Sequence, residues 1–279
     1  MIARHPLLLC ARQELTLAVR SRWTQIFAVV FAALALAVAS SGYILAGGHG
    51  VQDFARTAVS LVQLVLLLVP LTALLIGVQA LAPDRGAAEL LFSQPLSRRT
   101  ILLGKLLGLF QALAAAQALG FGAAGLVIFR QSGDEGLGGF LLLVLGSLVL
   151  TAVFLGMAAV LAAGALGRRR QRALALALVV WFVTVVLYDV AALGLASLLP
   201  SGPASRVLIL SSLVNPADAV RTGALLGIEG TAAFGPASLA LLRFTKGEVG
   251  AAVLLGLSAV VWILAPAALA VWRLRRADV

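Results

Sequence analysis

The chain has 279 residues, of which 62% are hydrophobic and only 11% are charged. Its mean hydropathy is +1.08. Soluble globular proteins carry about 25% charged residues, so this chain has too few charged side chains to cover a folded surface in water. The composition excludes a soluble enzyme, a disordered regulator and a secreted domain. It predicts an all-α polytopic membrane protein, in which each crossing takes about 20 apolar residues.

The 21 basic residues outnumber the 11 acidic residues and give a net charge of +10. Most of them fall in four clusters: Arg4, Arg12, Arg20 and Arg22; Arg85, Arg98, Arg99 and Lys105; Arg168, Arg169, Arg170 and Arg172; Arg273, Arg275 and Arg276. In the alternate loops, basic and acidic residues balance. This alternation is the positive-inside pattern and predicts that both termini are cytoplasmic. The clusters lack the aromatic stacking partners of a nucleic-acid surface, so no nucleic-acid partner is expected.

The predicted elements begin with an amphipathic helix in residues 1–22. Apolar residues recur there at three- and four-residue spacing, with Arg12, Gln13 and Arg20 between them. This pattern predicts a helix that lies in the cytoplasmic membrane interface, in contact with lipid.

Five predicted spans follow within residues 26–199, and a sixth lies within residues 250–272. Their expected bounds are 26–45, 59–81, 101–129, 140–166, 173–199 and 250–272. A cleaved signal peptide is the alternative for the first tract, but the apolar residues continue past its candidate cleavage site at Ala37-Val38-Ala39. Pro70 is expected to interrupt the second span, and Pro266 lies near the end of the sixth.

Residues 200–247 are the ambiguous part of the chain. The stretch 223–242 is long enough to span, but it contains Glu229 and Pro236, and a seventh span would move the last basic cluster outside. We therefore expect an outer-face segment of short, partly buried helices. No repeat or linker divides the chain, so residues 1–279 are predicted to form a single transmembrane domain.

Sequence motifs of an enzyme are absent. The chain has no G-x-x-x-x-G-K-[ST] phosphate loop, no H-E-x-x-H motif and no G-x-S-x-G elbow. It has one cysteine, and its two histidines, His5 and His49, are separated by the first span. We expect no catalytic residue, no metal site and no cofactor held by this chain. An intramembrane aspartyl enzyme is a remote alternative, because the fifth span contains Tyr188-Asp189 but no other span contains an acid.

Asp189 is the acidic residue placed deep in a predicted span. A lone carboxylate in the membrane costs about 2.5 to 3.5 kcal/mol on the insertion scale, so protonation, water or a cation must offset it. Arg206 and Arg221 are the candidate cations. Two interpretations stay open for Asp189: a structural ion pair, or a role in transport or gating.

Asn215-Pro216-Ala217-Asp218 predicts a turn followed by a helix start. Arg221 follows and can pair with Asp218 or with Asp189. The alternative is an ordinary surface turn.

The loop between the second and third spans predicts a short amphipathic helix. Asp84 can cap this helix, which would extend through Leu91 and Phe92, and Ser97 can cap the next span. With Arg85, Arg98 and Arg99 beside it, such a helix offers a contact for a soluble partner. The alternative is a tight loop whose charges only set the topology.

The same loop resembles the corresponding loop of ABC-2 type permeases. The resemblance rests on residues 89–99, which read Glu-Leu-Leu-Phe-Ser-Gln-Pro-Leu-Ser-Arg-Arg, and on Leu103-Gly104-Lys105. It implies a homodimer in the bacterial inner membrane, docked on two copies of a separate ATPase that holds ATP and Mg²⁺. The docking residues it implies are Asp84, Arg85, Glu89, Leu91, Phe92, Arg98 and Arg99.

A narrower resemblance is to the branch of that family linked to copper-enzyme maturation, in particular to nitrous oxide reductase assembly. It rests on Tyr188-Asp189 and on residues 215–221. It implies a periplasmic maturation protein related to NosD on the outer face, in contact with Asn215, Asp218 and Arg221.

Three functions stay open at this point: export of a small sulfur species or another factor, mechanical remodelling of the periplasmic partner, and export of an unrelated small or lipophilic substrate. The scarcity of soft and imidazole ligands disfavours passage of copper through this chain.

Overall fold

A computed structural model of the protein describes residues 6–46, 51–82, 96–132, 137–163, 169–229 and 236–276. Throughout these ranges the regular structure is helical. The elements, in chain order, are α1 (Pro6–Arg20), α2 (Arg22–Ala46), α3 (Val51–Leu81), α4 (Arg98–Ser132), α5 (Leu137–Ala162), α6 (Arg170–Trp181), a π-helical segment (Phe182–Leu187), α7 (Tyr188–Ser197), α8 (Ser201–Val214), α9 (Pro216–Glu229), α10 (Pro236–Thr245) and α11 (Glu248–Arg276).

Six of these helical runs are long and apolar enough to cross a membrane. They are α2, α3, α4, α5, the continuous run Arg170–Ser197 and α11. The six expected spans and the all-helical class are therefore confirmed. Within the described part of residues 200–247, α9 ends at Glu229 and α10 begins at Pro236, and neither is long enough to be a seventh span.

The second span differs from its prediction at Pro70, which does not interrupt the helix. Helix α3 runs through Pro70 from Val51 to Leu81. Proline has no N–H for the carbonyl one turn earlier, and its ring opens that turn. The indole Nε1 of Trp181, in the fifth span, donates to the carbonyl of Leu67 at 3.0 Å. A neighbouring helix thus supplies a donor to the turn that precedes the proline.

The interior of the bundle is built around α3 and α5. Helix α5 packs against α3, α4, α9 and α11. Phenylalanine side chains join α2, α4 and α5, because the ring of Phe121 makes edge contacts with those of Phe31 and Phe140 at centroid distances of 5.2 and 5.9 Å. Gln117 donates to the hydroxyl of Thr151 at 2.7 Å and links the third and fourth spans by a buried hydrogen bond.

The amphipathic helix predicted at the amino terminus corresponds to α1, which packs on the first turns of α4. Gly104 and Gly108 lie at the contact. A Cβ built on Gly104 would lie 2.5 Å from the Cβ of Cys10, and one built on Gly108 would lie 2.8 Å from the Cβ of Glu14. The small-x-x-x-small pair at these positions therefore allows the two backbones to approach closely.

We predict that Gly108→Ala destabilises the protein, whereas Gly122→Ala on the same helix does not. The added methyl at position 108 would meet the backbone of Ala11, while the same methyl at position 122 meets nothing within 4 Å. Overpacking costs about 1–3 kcal/mol, whereas Gly→Ala in a helix ordinarily gains about 0.5–1 kcal/mol. Thermal unfolding of the two variants in the same detergent checks this, and equal midpoints would contradict the tight contact.

Candidate functional site

Two groups of charged side chains stand out among the described residues, and they lie toward opposite ends of the bundle. We call Asp189, Arg221 and Asp218 the Asp–Arg–Asp cluster, and Glu14 with Lys105 the Glu–Lys pair. The first joins the fifth span to the segment that precedes the sixth span, and the second lies beside the loop that connects α3 to α4.

The turn that presents the Asp–Arg–Asp cluster is formed by Asn215 and Pro216, as the sequence predicts. Asn215 has extended backbone angles, φ −97° and ψ 119°, and ends α8. Its Oδ1 accepts a hydrogen bond from the N–H of Ala217 at 3.1 Å. Asn215 is therefore the N-cap of α9, with Pro216 in the first helical position, which proline favours. Asp218 follows in the first turn rather than capping the helix.

The turn reaches the middle of the fifth span. The Nδ2 of Asn215 donates to the carbonyl of Thr184 at 2.7 Å, and Thr184 lies in the π-helical segment halfway along that span. The hydroxyl of Ser258 in α11 donates to the carbonyl of Leu213 at 2.6 Å. Helices α8 and α9 therefore form a hairpin that contacts both the fifth and the sixth span, with its turn at the depth of the middle of the fifth span. Fourteen helical residues cover about 21 Å, which is enough for this depth.

Arg221 binds both acidic residues of the cluster. Its Nη1 donates to Oδ2 of Asp189, and its Nη2 donates to Oδ1 of Asp218. The sequence predicts one pairing or the other, and the structure shows both. Arg206, the other candidate cation for Asp189, is exposed on α8. One guanidinium therefore fixes α9 to the fifth span by charge-assisted hydrogen bonds.

The cluster holds two carboxylates and one cation in a partly buried place. The Asp218 side chain is only 8% exposed. The cluster therefore carries one more acid than base, and the burial of Asp218 makes its bond to Arg221 necessary.

The burial of Asn215 and Asp218 limits what their side chains can contact. Asn215 is 3% exposed and Asp218 is 6% exposed. Direct contact with another protein would require both side chains to leave these positions. In this arrangement their side chains hold the hairpin against the fifth span.

The Glu–Lys pair lies where α1 crosses α4. The Nζ of Lys105 is 3.3 Å from Oε2 of Glu14, whose side chain is 7% exposed. The same Nζ donates to the carbonyl of Ala80, at the end of α3, at 2.9 Å. One ammonium group therefore connects three helices.

The first turn of α4 is fixed as the sequence predicts. The Oγ of Ser97 accepts a hydrogen bond from the N–H of Thr100 at 3.1 Å and caps the helix. Arg98 donates to the carbonyl of Leu274 at 3.0 Å, near the end of α11. Arg99 is exposed. The other predicted docking residues, Asp84, Arg85, Glu89, Leu91 and Phe92, lie outside the described residues.

Sequence reasoning missed the Glu–Lys pair, although a signal for it exists. Glu14 falls on the same side of the amphipathic helix as Ala11 and Ala18, which are 3% and 5% exposed. An acid on the apolar stripe of a helix predicts a buried partner. Lys105 lies between the two glycines that allow α1 to approach.

The fold is that of a helical membrane protein with six candidate spans, and comparison with known proteins identifies the family. Residues 8–279 match the family described as ABC-2 family transporter protein, and the chain belongs to it. It is therefore a permease subunit, and as in ABC transporters generally, ATP is bound and hydrolysed by a partner ATPase subunit.

Two relatives bear the name probable ABC transporter permease protein NosY. The relative from Pseudomonas aeruginosa is 36% identical over 236 residues, which cover 82% of this chain and 85% of the relative. The relative from Stutzerimonas stutzeri is 35% identical over 227 residues, which cover 79% of this chain and 82% of the relative.

Proposed function

We propose that this permease subunit couples ATP hydrolysis by its ATPase to mechanical remodelling of a periplasmic partner, in copper-site assembly of nitrous oxide reductase. The observation that carries the proposal is the Asp–Arg–Asp cluster, which fastens a hairpin between two spans to the fifth span. The two relatives named NosY, and the resemblance to the copper-enzyme maturation branch, support the choice of pathway. The partner is a NosD-like maturation protein.

The proposed ATPase end is the end where the basic clusters meet. The first turns of α4 contact the end of α11 through Arg98, and the end of α11 contacts the end of α5 through Arg273, which donates to the carbonyl of Val160 at 3.3 Å. Helix α1 packs at the same end. The described members of all four basic clusters belong to α1, to these helix ends, or to the starts of α2 and α6. This grouping supports a cytoplasmic location for both termini and for the loop of residues 83–95.

A continuous set of contacts connects this end to the hairpin. Helix α3 ends at the proposed docking loop and packs along the fifth span. Trp181 bonds the carbonyl of Leu67 in α3, and Asn215 in the hairpin bonds the carbonyl of Thr184. A displacement of α3 therefore reaches the hairpin through hydrogen bonds and packed side chains. We propose that the exposed parts of the hairpin and α10 carry the motion to the periplasmic partner.

The homodimer is proposed on the faces that one protomer leaves uncovered. In the most apolar 18-residue stretch of the fifth span and of the sixth span, only 11% of the residues are buried within the protomer. Their exposed apolar faces suit a second copy or lipid. Export of a small or lipophilic substrate is the alternative function, and the observation that favours it is this pair of apolar faces, which offers a route between protomers without a polar channel.

The proposed orientation predicts that a tag after Val279 resists protease added to intact spheroplasts. A second tag placed between residues 230 and 235 is predicted to be cleaved under the same conditions, because it would face outward. Immunoblots of the two tagged chains check this. Cleavage of the C-terminal tag before lysis would place the docking loop on the wrong side of the membrane and would exclude the proposed ATPase contact.

The coupling role predicts that Arg221→Gln preserves ATP hydrolysis and impairs copper-site assembly in nitrous oxide reductase. The variant leaves two carboxylates without their cation, so the hairpin loses its attachment to the fifth span, while the ATPase end is unchanged. We expect the ATPase and the periplasmic partner to co-purify in normal amounts and ATP hydrolysis to continue. The copper content of nitrous oxide reductase isolated from the complemented deletion strain should fall by about tenfold, as expected for the loss of a charge-assisted contact.

Arg206→Gln is the matched control, because it removes an exposed arginine from the same hairpin. Copper loading should be unchanged in that variant. Normal loading with Arg221→Gln would remove the cluster from the mechanism. Normal loading in the deletion strain itself would exclude the copper pathway and favour the export alternative.

A further inference from the structure

The ammonium group of Lys105 reaches the end of the helix that precedes the proposed docking loop. It bonds the carbonyl of Ala80 at 2.9 Å, and Ala80 lies three residues before the loop of residues 83–95. Ser97 and Thr100, just after that loop, form the capped start of α4 to which Lys105 belongs. The two helices that carry the loop are thus joined at its base.

The same ammonium group also engages α1. Glu14 is buried where the two glycines of α4 meet α1, and its carboxylate faces Lys105 at 3.3 Å. A buried carboxylate requires a partner, and Lys105 is its ion-pair partner among the described residues. Helix α1 is therefore fixed to the base of the loop by a charge as well as by close packing.

We propose that Glu14 and Lys105 are positioning residues for coupling to the ATPase: they make α1, the end of α3 and the start of α4 move as one unit when the docking loop is displaced. This inference rests on the proposed docking of the ATPase at residues 83–95. Without the pair, the loop still binds the ATPase, but its displacement is taken up by α1 sliding over α4 and no longer moves α3.

Cys10 gives a direct test of the attachment of α1, independent of any ATPase. It is the single cysteine of the chain, it is partly buried, and its Cβ faces Gly104 on α4. In the purified full-length protein, Lys105→Met should raise the rate of Cys10 labelling by a maleimide about tenfold, the change expected when a hydrogen bond to a charged group is lost. Arg12→Gln, which removes an exposed charge from the same helix, should leave the rate unchanged.

The coupling role is tested in the complex with the ATPase subunit, reconstituted in lipid nanodiscs. Lys105→Met and Glu14→Gln should lower kcat for ATP hydrolysis several-fold while KM for ATP and the amount of bound ATPase stay as in the wild type. Lys105→Arg, which keeps a donor for both partners, should restore kcat. A merely structural role would instead lower the yield of folded complex and leave kcat per bound ATPase unchanged, and that result would overturn the proposal.

The outcomes separate this inference from the proposed function. If the ATPase binds elsewhere, deletion of residues 86–92 will leave ATPase binding intact, Lys105→Met will accelerate Cys10 labelling, and kcat will not change. If the ATPase does bind the loop, the deletion will abolish binding. In that case, unchanged labelling or unchanged kcat in Lys105→Met would show that the Glu–Lys pair does not position the loop.

Discussion

The constraint on which this structure depends is the absence of water in the hydrocarbon core of the membrane. Every charged or hydrogen-bonding group placed there needs a partner from the protein itself. Arg221 meets that requirement for Asp189 and Asp218 at once. The cluster therefore does more than satisfy charges, because the partners come from different helices and their pairing fixes where the hairpin lies.

The same constraint turns two irregular places in the spans into contact points. The turn before Pro70 receives a donor from Trp181, and the π-helical segment of the fifth span receives one from Asn215. Irregular helix in a membrane is tolerated where neighbouring elements form hydrogen bonds with its backbone. Because the donors belong to the fifth span and to the hairpin, the two irregular places connect α3, the fifth span and the hairpin in series.

The sequence predicts the features that depend on local pattern, and it does not predict those that depend on the assembled bundle. Six apolar tracts, the Ser97 cap and the turn at Asn215 and Pro216 follow from composition and spacing, and all three appear in the structure. The pairing of Asp189 with Arg221 could be predicted from the sequence, because a buried acid needs a cation. The depth of the hairpin could not be predicted, because the sequences of α8 and α9 carry no signal that distinguishes a surface helix from one between two spans. A prediction of the Glu–Lys pair would have required the knowledge that α1 crosses α4 at Gly104 and Gly108.

The two charged groups differ in a way that fits their places in the proposed cycle. Lys105 serves one carboxylate and one carbonyl, so the Glu–Lys pair is balanced in charge and holds three helices at the end where force would be applied. Arg221 bonds two carboxylates, so the Asp–Arg–Asp cluster carries one more acid than base and joins the fifth span to the hairpin through a single guanidinium. Under the proposed coupling, the Glu–Lys pair keeps α1, α3 and α4 together at the ATPase end, and the Asp–Arg–Asp cluster passes the motion of the fifth span to the hairpin.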